Sequence, residues 1–373
     1  MSYILKIKLI SKIKIIFFNF FFGLLFFIIL DLIYSNYFFK IKKYPSLHEK
    51  DIELHHKHKK NFSGVEQYGI LKPFVCTDDF GLKSKCNSKT SSNYDLGIVG
   101  DSIIEGVGLT YNETLTGILS ENTNYKIANL GTGSYSPILY HQRLLDDLFN
   151  KKLTFKHIII FIDLSDIEDE LLYYKEGNSI KSKLDDIKIY EWEERENQKK
   201  NLNDISFKTK IRKLVSNNLK ISFNTISFLK RKFYTSNPYK IHRKDIPRYA
   251  WTYNKEIKSE WGRIDVGIES SEYYMDKIYN LLNSKGIKFS IAVYPAPQQL
   301  LYDVENNHQV KIWKKFCENK CYKFYNFNKI FFKKKREMDL KKLIKKYFIT
   351  YDEHFNYEGN KLIANEFLEI NKN

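Results

Sequence analysis

Three short stretches of this 373-residue chain carry side chains whose types and order could do nucleophilic chemistry. The first is Gly97-Ile98-Val99-Gly100-Asp101-Ser102, in which a serine closes an apolar run. A serine hydroxyl is a poor nucleophile at neutral pH and needs an adjacent base. The second is Asn129-Leu130-Gly131-Thr132-Gly133-Ser134-Tyr135, a glycine-bearing turn whose backbone N–H groups can aim at a developing oxyanion. The third is Asp352-Glu353-His354-Phe355-Asn356, near the C-terminus. There Asp352 can accept a hydrogen bond from the His354 ring and fix its tautomer, leaving the other ring nitrogen to deprotonate Ser102. Each stretch alone is common. Their order along the chain makes the combination informative.

Those residues need a frame, and the surrounding sequence supplies an α/β rhythm. Apolar runs predict strands at 95–99, 126–130, 158–162 and 288–294. Helical periodicity is expected at 114–122, 138–149, 271–284 and 357–370, the last with Leu362, Ile363, Phe367 and Ile370 on one side. Strands alternating with helices imply a parallel sheet covered on both faces. Ser102 then stands at the C-terminal edge of a strand, where such sheets build their sites. The G-x-S-x-G elbow of α/β-hydrolases is absent around Ser102, which argues against that fold.

The combination resembles the SGNH (GDSL-type) hydrolase superfamily over residues 94–168 and about 265–370. The resemblance implies a three-layer α/β/α, flavodoxin-like domain. It places the nucleophile on Ser102 of Gly100-Asp101-Ser102 and the oxyanion donors on the Ser102 N–H and on Gly133 or Ser134. The third family block is usually Gly-x-Asn-Asp, and here it reads Asp163-Leu164-Ser165-Asp166, so Ser165 would stand in as donor. The last block is usually Asp-x-x-His; the shorter Asp352-x-His354 is similar to SGNH-type proteins of alginate and other polysaccharide O-acetylation. What this implies is a serine esterase or O-acyltransferase acting on acyl esters, acetyl above all, of a cell-surface or exported glycan. Neither cofactor nor metal is implied. A membrane-bound acyl-donor protein is an expected partner of the transferase form. The competing reading is a non-catalytic glycan-binding or assembly protein on a decayed SGNH scaffold.

The N-terminus adds location. Residues 15–30 read IIFFNFFFGLLFFIIL, and extended to Tyr34 the stretch reaches the roughly 20 residues that span a bilayer. Lys6, Lys8, Lys12 and Lys14 precede it, which puts the N-terminus in the cytoplasm and the rest outside. The expected organisation is a tail and anchor at 1–35, a solvated stalk at 36–92 and the hydrolase-like domain at 93–373, interrupted by a helical insertion at 170–265. The stalk holds His48, His55, His56 and His58, a cluster that could bind metal but is expected to be part of a solvated segment. Asp163, Asp166, Glu168, Asp169 and Glu170 read as a polar loop and helix start, and His141, His157 and His308 as packing or surface residues. Trp251, Trp261 and Trp313 could stack on sugar rings or pack in the core. Four cysteines outside the cytoplasm suit local pairing within Cys76/Cys86 and Cys317/Cys321, although 4 Cys allow 3 connectivities.

The formal charge of +17, from 61 Lys+Arg against 44 Asp+Glu, invites a nucleic-acid reading. Its distribution argues against one. Residues 205–244 alone carry eleven Lys or Arg and no acid, at helical apolar spacing that suits an anionic membrane surface. With 43% hydrophobic residues and a mean hydropathy of −0.44, wholesale disorder and a polytopic membrane protein are both excluded. The full-length chain is expected to resist alkaline carbonate extraction from membranes, and deletion of residues 1–35 to release it. Carbonate release of the intact chain would contradict a spanning anchor.

Overall fold

The computed structural model describes residues 2–38, 44, 46–69, 71–177, 179–183, 214–216, 218–234 and 244–372. The chain divides into two units, residues 1–43 with 194–237, and residues 44–193 with 238–373.

In the larger unit, five strands form one parallel sheet: β6 (Asn93–Gly100), β7 (Ile127–Gly131), β8 (Thr154–Ile162), β11 (Lys288–Val293) and β12 (Lys323–Asn326). The order across the sheet is β12-β11-β8-β6-β7. Read from the β7 edge, that is 2-1-3-4-5, the doubly wound flavodoxin-like order. Alternation along the strands fills both faces. Ile158, Ile160 and Ile162 of β8 point into one apolar cluster with Met275, Ile278 and Trp313. Ile159 and Phe161 point into the other, with Ile118, Phe331 and Ile363. Helices Pro137–Leu145, Ile264–Ser284 and His308–Cys317 contribute to the first cluster, and Leu115–Asn122, Asn328–Glu337 and Tyr357–Ile370 to the second. Three layers result.

The segment expected to be a solvated stalk is folded from residue 46 onward. It forms a hairpin of β1 (His48–Asp51) and β2 (His55–His58), and a three-stranded sheet of β3 (Ser63–Val65), β4 (Phe74–Thr77) and β5 (Lys83–Ser84). His48, His55, His56 and His58 are all buried. So is Lys83, whose Nζ donates to the carbonyls of Gly106 at 2.8 Å and Leu109 at 3.0 Å. Burial pulls the Lys83 ammonium below its ordinary pKa. Composition missed this because polar side chains read alike whether water or another part of the chain satisfies them.

The helical insertion also needs correction. Residues 173–182 are a hairpin of β9 (Tyr173–Glu176) and β10 (Ser179–Ser182), and 247–250 a single helical turn that brings Arg248 and Tyr249 to the sheet edge. Of the basic 205–244 stretch, Lys220–Tyr234 is a helix, while 205–213, 217 and 235–243 lie outside the described residues. In the smaller unit, Asp31 caps that helix by accepting from the N–H groups of Ile221 at 3.0 Å and Ser222 at 2.8 Å. The helix Ser2–Ile33 and the π turn Tyr34–Phe38 include an apolar span, Lys12–Tyr37, of 26 residues with hydropathy 2.5. That helix is long and apolar enough to cross a membrane. The disulfides are Cys76–Cys86 and Cys317–Cys321, both local.

Replacing Lys83 by Ala strands two buried carbonyls and is expected to cost about 2 kcal/mol in a thermal or denaturant melt. A free stalk would show no change.

Candidate active site

Ser102 is delivered by β6, an interior strand of the sheet between β7 and β8. Asp101 follows the strand and caps the short helix Ser102–Glu105, its Oδ1 accepting from the Ile103 N–H at 3.0 Å. Gly131, at the end of neighbouring β7, must be glycine, because a Cβ there would come within 2.2 Å of the Glu105 backbone nitrogen. That close approach sets the Ser102 turn beside the loop that follows β7.

His354 arrives from the far end of the chain. Its Nε2 lies 2.8 Å from Ser102 Oγ across a sequence separation of 252. The turn that holds it is tied shut by Ile349 N–H donating to the His354 carbonyl at 2.8 Å and by Asp352 N–H donating to the Ile349 carbonyl at 3.0 Å. Within it, Asp352 Oδ1 accepts from both the His354 backbone N–H and its Nδ1. Asp352 Oδ2 accepts from the Tyr68 hydroxyl at 2.8 Å, which also stands 3.1 Å from His354 Nδ1. The expected Ser102, His354 and Asp352 are therefore brought together, and Tyr68 joins them from the segment that was expected to be a stalk.

Electrostatics follows from these contacts. Burial alone would lower the His354 pKa, but its hydrogen bond to Asp352 and that carboxylate's charge push it up to about 9. Burial opposes ionisation of Asp352 as well, and the bond from His354 overcomes it and holds the carboxyl below its ordinary value. Asp101 is pushed the other way, upward, by burial and by the neighbouring Asp163 carboxylate.

The donors expected for an oxyanion fare less uniformly. The Gly133 N–H donates to Glu105 Oε2 at 2.5 Å, so it is committed to an internal carboxylate and not free. Ser165 lines the cleft, but its Oγ donates to Asp163 Oδ2 at 2.9 Å, so its proton is committed within its own loop. Ser134 follows Gly133 with a left-handed φ of 59° and lines the cleft. The acidic run after β8 does start a helix, Asp166–Leu172, as expected, but its carboxylates are buried. Asp166 accepts from the Tyr140 hydroxyl at 3.0 Å, Glu170 from the Ile138 N–H at 3.0 Å, and Asp169 pairs with Arg248. Buried carboxylates with built-in partners look, in sequence, like a polar helix start.

Ser102 and His354 open on a cleft of about 310 Å³. Its walls include Lys50, His56, Tyr68, Tyr173, Arg248 and Tyr249. His157 lies outside it, against Ser290, as do His141, against Tyr274, and His308, against Trp251. Trp251 is buried with its Nε1–H on the Leu164 carbonyl, and Trp313 is buried in the core, so neither is a sugar platform. Reasoning from sequence missed Tyr68, Arg248, Tyr249 and the histidine hairpin, none of which sits in a recognisable motif. The one usable signal was four histidines within eleven residues of an otherwise featureless segment.

No family model matches the chain, and no curated protein matches it. Among solved structures it is similar to LAE5, an α/β hydrolase enzyme from the metagenome of Lake Arreo, Spain. The identity is 11% and the TM-score 0.38, covering 76% of this chain and 95% of that one.

The raised His354 pKa has a definite sign. The stability contributed by the His354–Asp352 pair is complete below the unfolded-state value of 6.5 and is lost as pH rises through about 9. In a histidine-labelled NMR titration, His354 is expected to keep its proton well above pH 6.5, and Asp352→Asn to move its midpoint down. A midpoint unmoved by that substitution would sever the inferred coupling.

Proposed function

We propose that the chain is a serine esterase or O-acyltransferase of SGNH type, acting on acyl esters, acetyl above all, of a cell-surface or exported glycan. The observation that carries this reading is the unbroken contact Ser102 Oγ–His354 Nε2, with His354 Nδ1 on Asp352, at the mouth of a cleft. In this mechanism the neutral form of His354, a minority at pH 7 given its pKa of about 9 and growing as pH rises, takes the Ser102 proton as Oγ attacks the ester carbonyl, and Asp352 stabilises the imidazolium that forms. The tetrahedral intermediate collapses when His354 returns that proton to the leaving sugar oxygen, and an acyl-Ser102 remains. Water or a sugar hydroxyl, deprotonated by the same imidazole, then releases the acyl group.

The oxyanion would be met by the N–H groups of Ser102 and Ser134, with Gly133 recruited once it leaves Glu105. A cleft of about 310 Å³ suits a small acyl group with part of one sugar better than a long acyl chain. Tyrosines and the cations Lys50 and Arg248 on its walls suit a hydroxyl-rich or acidic glycan. The apolar N-terminal helix supports a membrane location facing exported polymer and, for transfer, a membrane-bound acyl-donor protein as partner. No role for nucleic acid enters this reading.

A second reading, a glycan-binding protein without catalysis, draws on the Gly133 N–H and the Ser165 hydroxyl both being engaged internally. A serine-directed fluorophosphonate separates the two. Full-length protein in detergent is expected to label at Ser102, with labelling abolished by Ser102→Ala and cut at least about 100-fold in rate by His354→Ala. Absence of labelling in the unmutated chain favours the binding protein. Release of acetate from an acetylated glycan, with and without an acceptor sugar, then separates hydrolysis from transfer.

A further inference from the structure

One buried cluster takes no direct step in the chemistry above, although its carboxylate, Glu105, is the one that holds the Gly133 N–H. In the β1–β2 hairpin, His48 lies directly opposite His58, so both rings leave it on the same face. That face meets Glu105, the last residue of the helix that begins at Ser102. His48 Nε2 stands 3.2 Å and His58 Nε2 3.3 Å from one oxygen, Glu105 Oε2. All three side chains are buried, at 6%, 1% and 0% exposure, and their donor atoms lie within 4.8 Å of one another.

Three features of this arrangement fit a cation better than a proton. His58 Nδ1 is 3.3 Å from the Gly81 carbonyl, which can only accept, so Nδ1 carries the ring proton. In the neutral ring Nε2 then directs a lone pair at a carboxylate oxygen, an arrangement that is repulsive unless a positive charge lies between them. The distances agree. A charge-assisted N–H···O bond closes to about 2.7–2.9 Å. Ligands about 2.0–2.1 Å from a tetrahedral zinc stand about 3.3 Å from each other. Lastly, Glu105 Oε1 and His58 Nε2 are both buried without a hydrogen-bond partner among the described residues. The bond from His58 Nδ1 to a backbone carbonyl is also the usual outer support of a metal-ligating imidazole.

We propose that His48, His58 and Glu105 bind a divalent transition-metal ion, for which zinc is the best match to two imidazoles and a carboxylate. A fourth ligand from solvent completes the set. The ion joins the N-terminal hairpin to the Ser102 helix. Through Glu105 Oε2, which also accepts from Gly133, it steadies the loop after β7. This site stands apart from the reading of Ser102 as a nucleophile and departs from the metal-free chemistry that the SGNH resemblance implied.

The test uses full-length protein in detergent, stripped with a chelator and reloaded with zinc(II) or cobalt(II). One zinc per chain by elemental analysis is expected, together with a melting temperature above that of the chelator-treated protein. The cobalt(II) form should show visible d–d absorption. His48→Ala and His58→Ala should each weaken zinc binding at least about 100-fold, while His308→Ala leaves it unchanged. The melting shift of the unmutated chain needs no variant to fold. Substoichiometric zinc with no melting shift overturns the proposal, and so does one zinc retained by both histidine variants.

Discussion

Everything at the site depends on where β6 lies in the sheet. It is hydrogen-bonded to β7 on one side and β8 on the other, and the chain reverses its direction of travel across the sheet at the β6/β8 pair. At such a reversal the connections leave to opposite faces and a crevice opens between them. The Ser102 turn follows β6 and the Asp163–Asp166 turn follows β8, so both open into that crevice. The sheet cannot shift register to adjust this. A slip of one residue would turn Ile158, Ile160 and Ile162 out of one apolar cluster and into the space filled by the other.

The N-terminal polar segment closes the crevice that the sheet leaves open. Tyr68 reaches the Asp352–His354 turn, His56 Nε2 bonds the Gly133 carbonyl at 2.8 Å, and His48 meets Glu105. Each of these contacts joins a residue numbered below 70 to one of the loops around Ser102. The larger unit is therefore an α/β sheet with one wall of its cleft supplied by chain that precedes the first core strand. Its walls are built largely from polar side chains with fixed partners, and such groups are costly to bury unless those partners are in place.

How much of this the sequence shows follows the range of the interactions. The parallel sheet was legible, since β8 is a continuous apolar run and β6 ends in Gly100-Asp101-Ser102. The proximity of Ser102, Asp352 and His354 could be expected from residue types, because a serine at a strand end and an Asp-x-His near the last helix have few other joint uses. Lys83, Glu105 and Asp166 were illegible for a common reason. Each is ionisable and fully buried, and its partners are backbone carbonyls, histidines or a tyrosine from distant parts of the chain. A one-dimensional pattern records a charge but not what will neutralise it. The four histidines were visible, and only the antiparallel register that sets His48 against His58 gave them a shared direction.

The bond from Gly133 to Glu105 has a kinetic side. A loop amide already held by an internal anion is occupied before any ligand arrives, so a visitor must displace that anion to use it. Surrendering a charge-assisted bond costs about 1.5–3 kcal/mol. That cost is a threshold for any ligand that would use the Gly133 amide, and contacts with several walls of the cleft help to meet it. The resting molecule is in this sense latched from within, and the same carboxylate that braces the Ser102 helix is the bolt.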